Sequence, residues 1–247
     1  SVKYIEVNPR EAAAGKWLAN YYLFNKLANC FDVMGRTCET FEDLKFENLR
    51  NILSSDSRIG AWGFFDSLGA GGSCLIKDSR SLTYQLQSKN KNVALLHETY
   101  LANRRQLEYF VDRAEKEVGF DWQNKNVAVL GAAFKRDTHD IRDSAAIKII
   151  DLILLKNVKE INVYDPAAME NFKTLFSSSR AVRYSVSEAD AIKDADVVII
   201  ATDWPQFREL ADLLMQFNKK PLIMDGRRML QHKYDELRNK GYNIVAV

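Results

Sequence analysis

The chain has 247 residues, of which 47% are hydrophobic and 28% charged, with a formal net charge of +2. That length suits one large domain or two ordinary ones, and the balanced charge, with basic pairs scattered at Arg104-Arg105, Lys219-Lys220 and Arg227-Arg228, excludes a nucleic-acid footprint. No apolar run reaches the roughly 20 residues of a membrane span. Three irregularly spaced cysteines, Cys30, Cys38 and Cys74, make neither a disulfide framework nor a zinc site, so no metal is expected and a reducing, cytosolic setting fits.

The opening SVKYIEVNPREAAAGKW carries charge where a signal peptide would be apolar, and reads as a short strand running into a helix, entered mid-fold. From Arg10 to about Phe31, Trp17, Leu18, Tyr21, Tyr22, Phe24, Leu27, Ala28 and Phe31 recur at helical spacing. The stripe is wider than one surface face needs, which predicts a long helix buried on several sides, as a domain spine or in a dimer interface. A second helix is expected over Thr40–Ser54, starting near a Thr40 cap and led by Glu42 and Asp43. The glycine-rich RIGAWGFFDSLGAGGSCLIKD reads as loop for most of its length. Helix resumes over about Leu75–Gln87 and again over Val93–Val118, ending near Gly119.

From Asn126 short apolar runs alternate with helical stretches. Strands are expected at Val127–Leu130, Glu160–Tyr164, Val182–Tyr184, Val197–Ala201, Leu222–Met224 and Asn243–Ala246, with helices such as Ala145–Leu155 and Pro205–Gln216 between them. Such alternation means a parallel sheet covered on both faces, wound right-handedly. The fold class is therefore α/β: an all-helical domain over 1–118, then a Rossmann-like doubly wound domain over 119–247.

Ligands of such sheets bind beyond the carboxyl ends of the strands. There the sequence offers GAAFKRDTHDIRDS, TDW and DGRR, placing Lys135, Arg142, Asp203, Arg227 and Arg228 toward one crevice, a set suited to a phosphate-bearing ligand. The first strand-turn, Gly131-Ala132-Ala133-Phe134, lacks the glycines of a dinucleotide fingerprint, and Gly69-Ala70-Gly71-Gly72 lacks its strand–turn–helix context.

In the first half, Lys16 and Asn20 share one helix face at i, i+4; alone they also read as a Lys reaching solvent beside an exposed Asn. Gly71-Gly72-Ser73 delivers Cys74 to a helix start, with Lys77 and Asp78 at i+3 and i+4. A thiolate there is favoured by the dipole and by lysine neighbours. A small buried cysteine acting as a hydrophobe is the other reading. Arg58, in Asp56-Ser57-Arg58-Ile59-Gly60, has Asp56 at hand as an ion-pair partner.

Taken together, EAAAGKWLAN, SRIG, GAGGSCLIKD, LGAAFKRDTHDIRDS, YDP, TDW and DGR resemble the UDP-glucose/GDP-mannose dehydrogenase family, in that family's order and across nearly the whole chain. The resemblance implies a central helical domain that dimerises through its long helix, then a Rossmann-like domain for the nucleotide of a UDP-sugar. The family's first, NAD-binding domain is absent from this stretch. It implies oxidation of a sugar C6 alcohol to a carboxylate with two NAD through thiohemiacetal and thioester stages on Cys74. Lys16 would then stabilise the oxyanion, Asn20 position substrate or water, and Asp78 assist proton transfer. Arg58, Gly69, Gly71, Phe134, Lys135 and Arg227 would contact the nucleotide-sugar, and Lys77 and Arg142 the NAD side. The loop AWGFFDSL departs from the family pattern, leaving Trp62, Phe64 and Phe65 as aromatics for base packing. Arg58-Ile59-Gly60 leans toward UDP-glucose, and no His follows Gly71-Gly72, which disfavours UDP-N-acetylhexosamine relatives. The rival reading is a non-catalytic nucleotide-sugar-binding or dimerisation module, or a GDP-mannose dehydrogenase fragment.

Overall fold

The computed structural model describes residues 4–41, 43–65, 67–177 and 179–247. The chain forms two compact units, one of Ser1–Phe65 with Ser73–Asn103, the other of Asp66–Gly72 with Arg104–Val247.

The first unit is helical. Helix α1 (Pro9–Ala28) opens on a reciprocal cap: the Asn8 side chain accepts from the Glu11 amide at 2.9 Å, and Glu11 accepts from the Asn8 amide at 3.0 Å. Proline at the first helical position costs no hydrogen bond there. The short strand expected ahead of this helix does not form; residues 4–8 carry no regular structure. Helix α1 runs on through a π-helical turn, Asn29–Met34, into α2 (Gly35–Thr40).

The helix expected over Thr40–Ser54 is displaced. Thr40 ends α2, its hydroxyl donating to the Arg36 carbonyl at 2.8 Å, and α3 spans Phe46–Ser55. Phe41, with extended φ and ψ, breaks the path. Glu42 lies outside the described residues, so its part in that expectation stays open. Helix α4 (Ser73–Gln87) packs on α1, and α5 (Ala94–Val118) follows. The division between units falls within α5.

The second unit holds β1 (Asn126–Leu130), α6 (Ala145–Leu154), β2 (Glu160–Tyr164), α7 (Met169–Lys173), β3 (Val182–Tyr184), α8 (Glu188–Ile192), β4 (Val197–Ile200), a 3-10 turn (Pro205–Glu209), α9 (Leu210–Leu214), β5 (Leu222–Asp225), α10 (Tyr234–Asn239) and β6 (Ile244–Ala246). All pairings are parallel, in the order β3-β2-β1-β4-β5-β6, the doubly wound Rossmann arrangement. Alternation along β1 explains both faces: Val127 and Val129 join the core with Ile149, Ile153 and Phe172, while Ala128 and Leu130 join Val198, Phe207 and Leu214. In α6, Ala146, Ile149, Ile150 and Ile153 are buried at helical spacing, and each buried Ile contributes about 1.5–3 kcal/mol. Ser144 caps that helix by accepting from the Ala146 amide at 3.2 Å. Register aligns Leu130 with both Tyr164 and Ile200, and Ile200 with Asp225. The turns after β1, β2, β4 and β5 therefore leave the sheet at one level.

Candidate functional site

In the helical unit Asp78 is the centre. It lies on the second turn of α4 and is 2% exposed. Its Oδ2 accepts from Lys16 Nζ at 3.0 Å and from Asn20 Nδ2 at 2.6 Å. The i, i+4 spacing on α1 aims both donors at one oxygen. Burial alone pushes the Asp78 carboxyl up, but the hydrogen bonds from Lys16 and Asn20, with the charges of Lys16 and Lys77, outweigh it and hold the group below the usual carboxylate value. The Lys16 side chain is 63% exposed even though its ammonium is anchored on Asp78.

Cys74 is the second residue of α4 and is exposed, one helical turn before Asp78. Buried Cys30 packs with Met34, Phe46 and Phe64, and partly buried Cys38 lies against that cluster. None of the three forms a disulfide. Lys77 is exposed on α4, between Cys74 and Asp78 in sequence. Arg58 is 88% exposed and grips Asp56 with Nε at 3.0 Å and Nη2 at 2.6 Å. That bond from Arg58 lowers the Asp56 carboxyl.

Lys26 was not singled out by sequence. Its ammonium donates to the carbonyls of Ile59 at 2.6 Å and Gly60 at 2.9 Å, 5.1 Å from the centre of the Phe64 ring. No local spacing signals this contact. Phe64 is buried, which removes it from the aromatics offered for base packing; Trp62 and Phe65 are exposed and meet edge to face at 5.8 Å.

The wide α1 stripe is not buried on several sides within the chain. Only Phe24 and Ala28 of α1 are buried, while Leu18, Tyr22 and Leu23 are exposed, Tyr22 by 71%. With Met34, Leu53, Ile59 and Trp62, Tyr22 and Leu23 line a mainly apolar groove of about 800 Å³.

In the sheet unit Asp165, at the carboxyl end of β2, organises the strand ends. Its Oδ2 accepts from the Ala132 and Ala133 amides at 2.7 and 3.0 Å and from Trp204 Nε1 at 3.0 Å. Its Oδ1 accepts from the Ala167 and Ala168 amides, both at 2.8 Å. One buried carboxylate thus ties the β1 turn, YDP and TDW together. Sequence reading passed over it, although an acid closing β2 is the available signal. In dinucleotide-binding folds the amides after β1 face the pyrophosphate. Here the Ala132 and Ala133 amides are taken by Asp165, and a Cβ on Gly131 would lie 2.4 Å from the Thr202 Cβ. The turn does not fit an NAD pyrophosphate.

Beyond this turn, Phe134 lies against the glycine loop: a Cβ on Gly72, at φ +77°, would come within 2.8 Å of the Phe134 ring, and one on Gly71 within 3.5 Å of the Phe134 Cβ. Gly69 also has positive φ, at +101°. Lys135 is exposed, its ammonium 5.5 Å from the centre of the Phe134 ring. At the strand ends the Asp203 carboxylate acts on the Arg227 guanidinium, opposing the fall that burial imposes on it. Arg227 and Arg228 line a concavity of about 620 Å³ with Arg208, Glu209 and His232. Arg142 instead forks onto Asp140 at 3.0 and 2.6 Å, bringing that carboxyl down to about 2. Arg227 Nε donates to the Ala201 carbonyl at 2.9 Å, and Arg228 Nε to that of Val247 at 2.5 Å. Among the described residues, no group of three or more His, Cys, Asp or Glu could hold a metal ion, and no helix is long and apolar enough to cross a membrane.

Sequence comparison gives these features a class, that of the nucleotide-sugar dehydrogenases. The chain belongs to the UDP-glucose/GDP-mannose dehydrogenase family: residues 10–105 match its central domain and residues 128–232 its UDP-binding domain. It is 34% identical over 223 residues to a UDP-glucose 6-dehydrogenase of Haloferax volcanii, covering 90% of this chain and 50% of that protein. A UDP-glucose 6-dehydrogenase of Rickettsia conorii is 29% identical over all 247 residues, 56% of its own length. A UDP-glucose dehydrogenase structure from Pyrobaculum islandicum superposes with a TM-score of 0.80 at 27% identity, over 92% of this chain and 50% of that one. The chain spans about half the length of the curated relatives it matches.

Proposed function

We propose that this chain is the substrate-binding and dimerisation portion of a nucleotide-sugar 6-dehydrogenase that converts UDP-glucose to UDP-glucuronate. The observation that carries the reading is the convergence of Lys16 and Asn20 on Asp78, one helical turn beyond Cys74. A module that only bound or dimerised would not require an exposed helix-initial thiol next to a charged cluster.

In this reading the Cys74 thiolate adds to the C6 aldehyde: a sulfur–carbon bond forms, and the carbonyl electron pair moves to oxygen. Lys16, anchored but accessible, stabilises that oxyanion. After oxidation to the thioester, water adds at the carbonyl carbon, and the thiol leaves as the carboxylate forms. Asp78, held ionised, orients the water with Asn20. NAD is the proposed oxidant, two equivalents in all. The C6 alcohol would give up hydride to the first, forming the aldehyde, and the thiohemiacetal carbon would give up hydride to the second, forming the thioester. Lys77 and Arg142 would be its contacts from this chain. Phe134, Lys135, Arg227, Gly69, Gly71 and Arg58 are assigned to the nucleotide-sugar. A second copy is the proposed partner of the apolar face of α1, with its exposed Leu18, Tyr22 and Leu23. Cysteines outside any disulfide suit the proposed reducing, cytosolic setting.

Calorimetric titration with UDP-glucose, with GDP-mannose as control, tests the substrate. Saturable binding of UDP-glucose alone supports the reading; tighter binding of GDP-mannose, or binding of neither, overturns it. Sedimentation of the same chain tests the dimer.

A further inference from the structure

Lys26 spends its charge on backbone. Its ammonium donates to the two carbonyls that directly follow Arg58, those of Ile59 and Gly60. Its stem lies where a Gly63 side chain would stand, 2.9 Å from the position of a Cβ there, and its cation lies over the Phe64 ring. Charge-assisted bonds to two consecutive carbonyls fix a main-chain path, and a side-chain ion pair does not. The path is one that needs fixing. Gly60 and Gly63 have φ of +69° and +96°, and residues 58–65 form no helix or strand. Upstream, the Ile59 and Gly60 amides both bond to the Asp56 carbonyl, at 3.0 and 2.9 Å. The Lys26 contacts continue that anchorage to Phe64, which is buried, while Trp62 and Phe65 on either side remain exposed.

We propose that Lys26 is a positioning residue for nucleotide-sugar recognition: from α1 it holds the segment 58–65 in one conformation, so that Arg58 and the exposed Trp62–Phe65 pair are presented ready-ordered. Ordering a loop in advance removes a cost that binding would otherwise carry. The proposal rests on the reading of Arg58 as a substrate contact. An arginine at position 26 keeps the charge and the donors, whereas methionine keeps the stem and loses both.

The test uses this chain and its Lys26→Met, Lys26→Arg, Arg58→Ala and Lys26→Met/Arg58→Ala variants. Each is titrated with UDP-glucose, and amide hydrogen exchange is followed over residues 56–65. Lys26→Met is expected to weaken UDP-glucose binding tenfold or more and to speed exchange in that segment, with exchange in α4 unchanged. Lys26→Arg is expected to bind within threefold of the parent. The double variant is expected to bind no more weakly than the weaker single one. Binding and exchange unaltered by Lys26→Met overturn the proposal, as do fully additive losses in the double variant. If the parent chain itself does not bind UDP-glucose, the substrate reading fails; the exchange of the Lys26→Met and Lys26→Arg pair then decides the positioning role. Should Lys26→Met not fold, Lys26→Gln replaces it in both measurements.

Discussion

Asn20 and Asp78 stand 58 positions apart in sequence and meet at 2.6 Å, amide nitrogen to carboxylate oxygen. The bond is made to a charged acceptor that is almost wholly buried, where hydrogen bonds are worth about 1.5–3 kcal/mol. Asn20→Ala is therefore expected to lower unfolding stability by about 1–3 kcal/mol. The corresponding loss for Lys16→Met is expected to be smaller, about 0–1 kcal/mol, because the Lys16 side chain is 63% exposed. Urea denaturation of the two variants checks the order; a larger loss for Lys16→Met would show that charge, not the amide, holds Asp78.

The same carboxylate makes a pH signature. The folded state holds Asp78 below its ordinary value of 3.8, so the unfolded chain binds its proton first as pH falls. The stabilisation is fully present above 3.8 and is lost as pH drops through the lowered folded value. Asp78→Asn is expected to be less stable than the parent at pH 6, and the two curves to converge below pH 3.8. A difference independent of pH across this window would refute the assignment.

Alkylation of the folded chain by iodoacetamide, read by peptide mass spectrometry, is expected to label Cys74 well ahead of Cys38, and Cys30 only on unfolding, in the order of their exposure. Exposure alone predicts that order, so the informative variants are Lys16→Met and Lys77→Met. Slowing of Cys74 labelling by severalfold in either, with Cys38 unchanged, identifies the ammonium groups as activating. Unchanged Cys74 rates in both would leave exposure as the sole cause.

Asp165→Ala removes the acceptor of four backbone amides and one indole. Each buried donor left without a partner costs about 1–3 kcal/mol, and relaxation and water recover part of that sum. A net loss of at least about 3 kcal/mol is expected by denaturation, and a loss under about 1 kcal/mol would mean that the turn does not depend on this carboxylate.

Two glycines should respond in opposite directions to alanine. Gly131, at φ +96°, has Thr202 atoms 2.4–2.7 Å from where a Cβ would be, so Gly131→Ala is expected to cost more than about 1–3 kcal/mol of backbone strain. Gly15 lies inside α1 with nothing within 4 Å of that position, and Gly15→Ala is expected to stabilise by about 0.5–1 kcal/mol. Loss of stability at position 15 would indicate a neighbour packed on that face.

Much of the fold was legible because it is written locally. The β2 and β3 limits coincide with the expected runs, and the other strands differ by a single residue at an end. The misplaced helix near Thr40 has a local cause too: Phe41 turns extended, and α3 begins at Phe46 behind Lys45, whose side chain makes no capping hydrogen bond that sequence could have flagged. At the strand ends the sequence names the basic residues but not their protein partners. Arg142 and Asp140 are two positions apart and satisfy each other, an outcome that residue type alone does not reveal.

The sequence by itself determined the strands of the second half, the parallel sheet and the delivery of Cys74 to a helix start, since each depends on side-chain period and turn chemistry over a few residues. Only the tertiary structure decided which partners meet: Asn20 with Asp78, Lys26 with the carbonyls of Ile59 and Gly60, and Asp165 with the amides of the β1 turn. The physical reason is that a buried polar group must find a partner wherever the packed chain brings one. That choice is made across tens of residues by the closing of the core, where neither spacing nor propensity carries information.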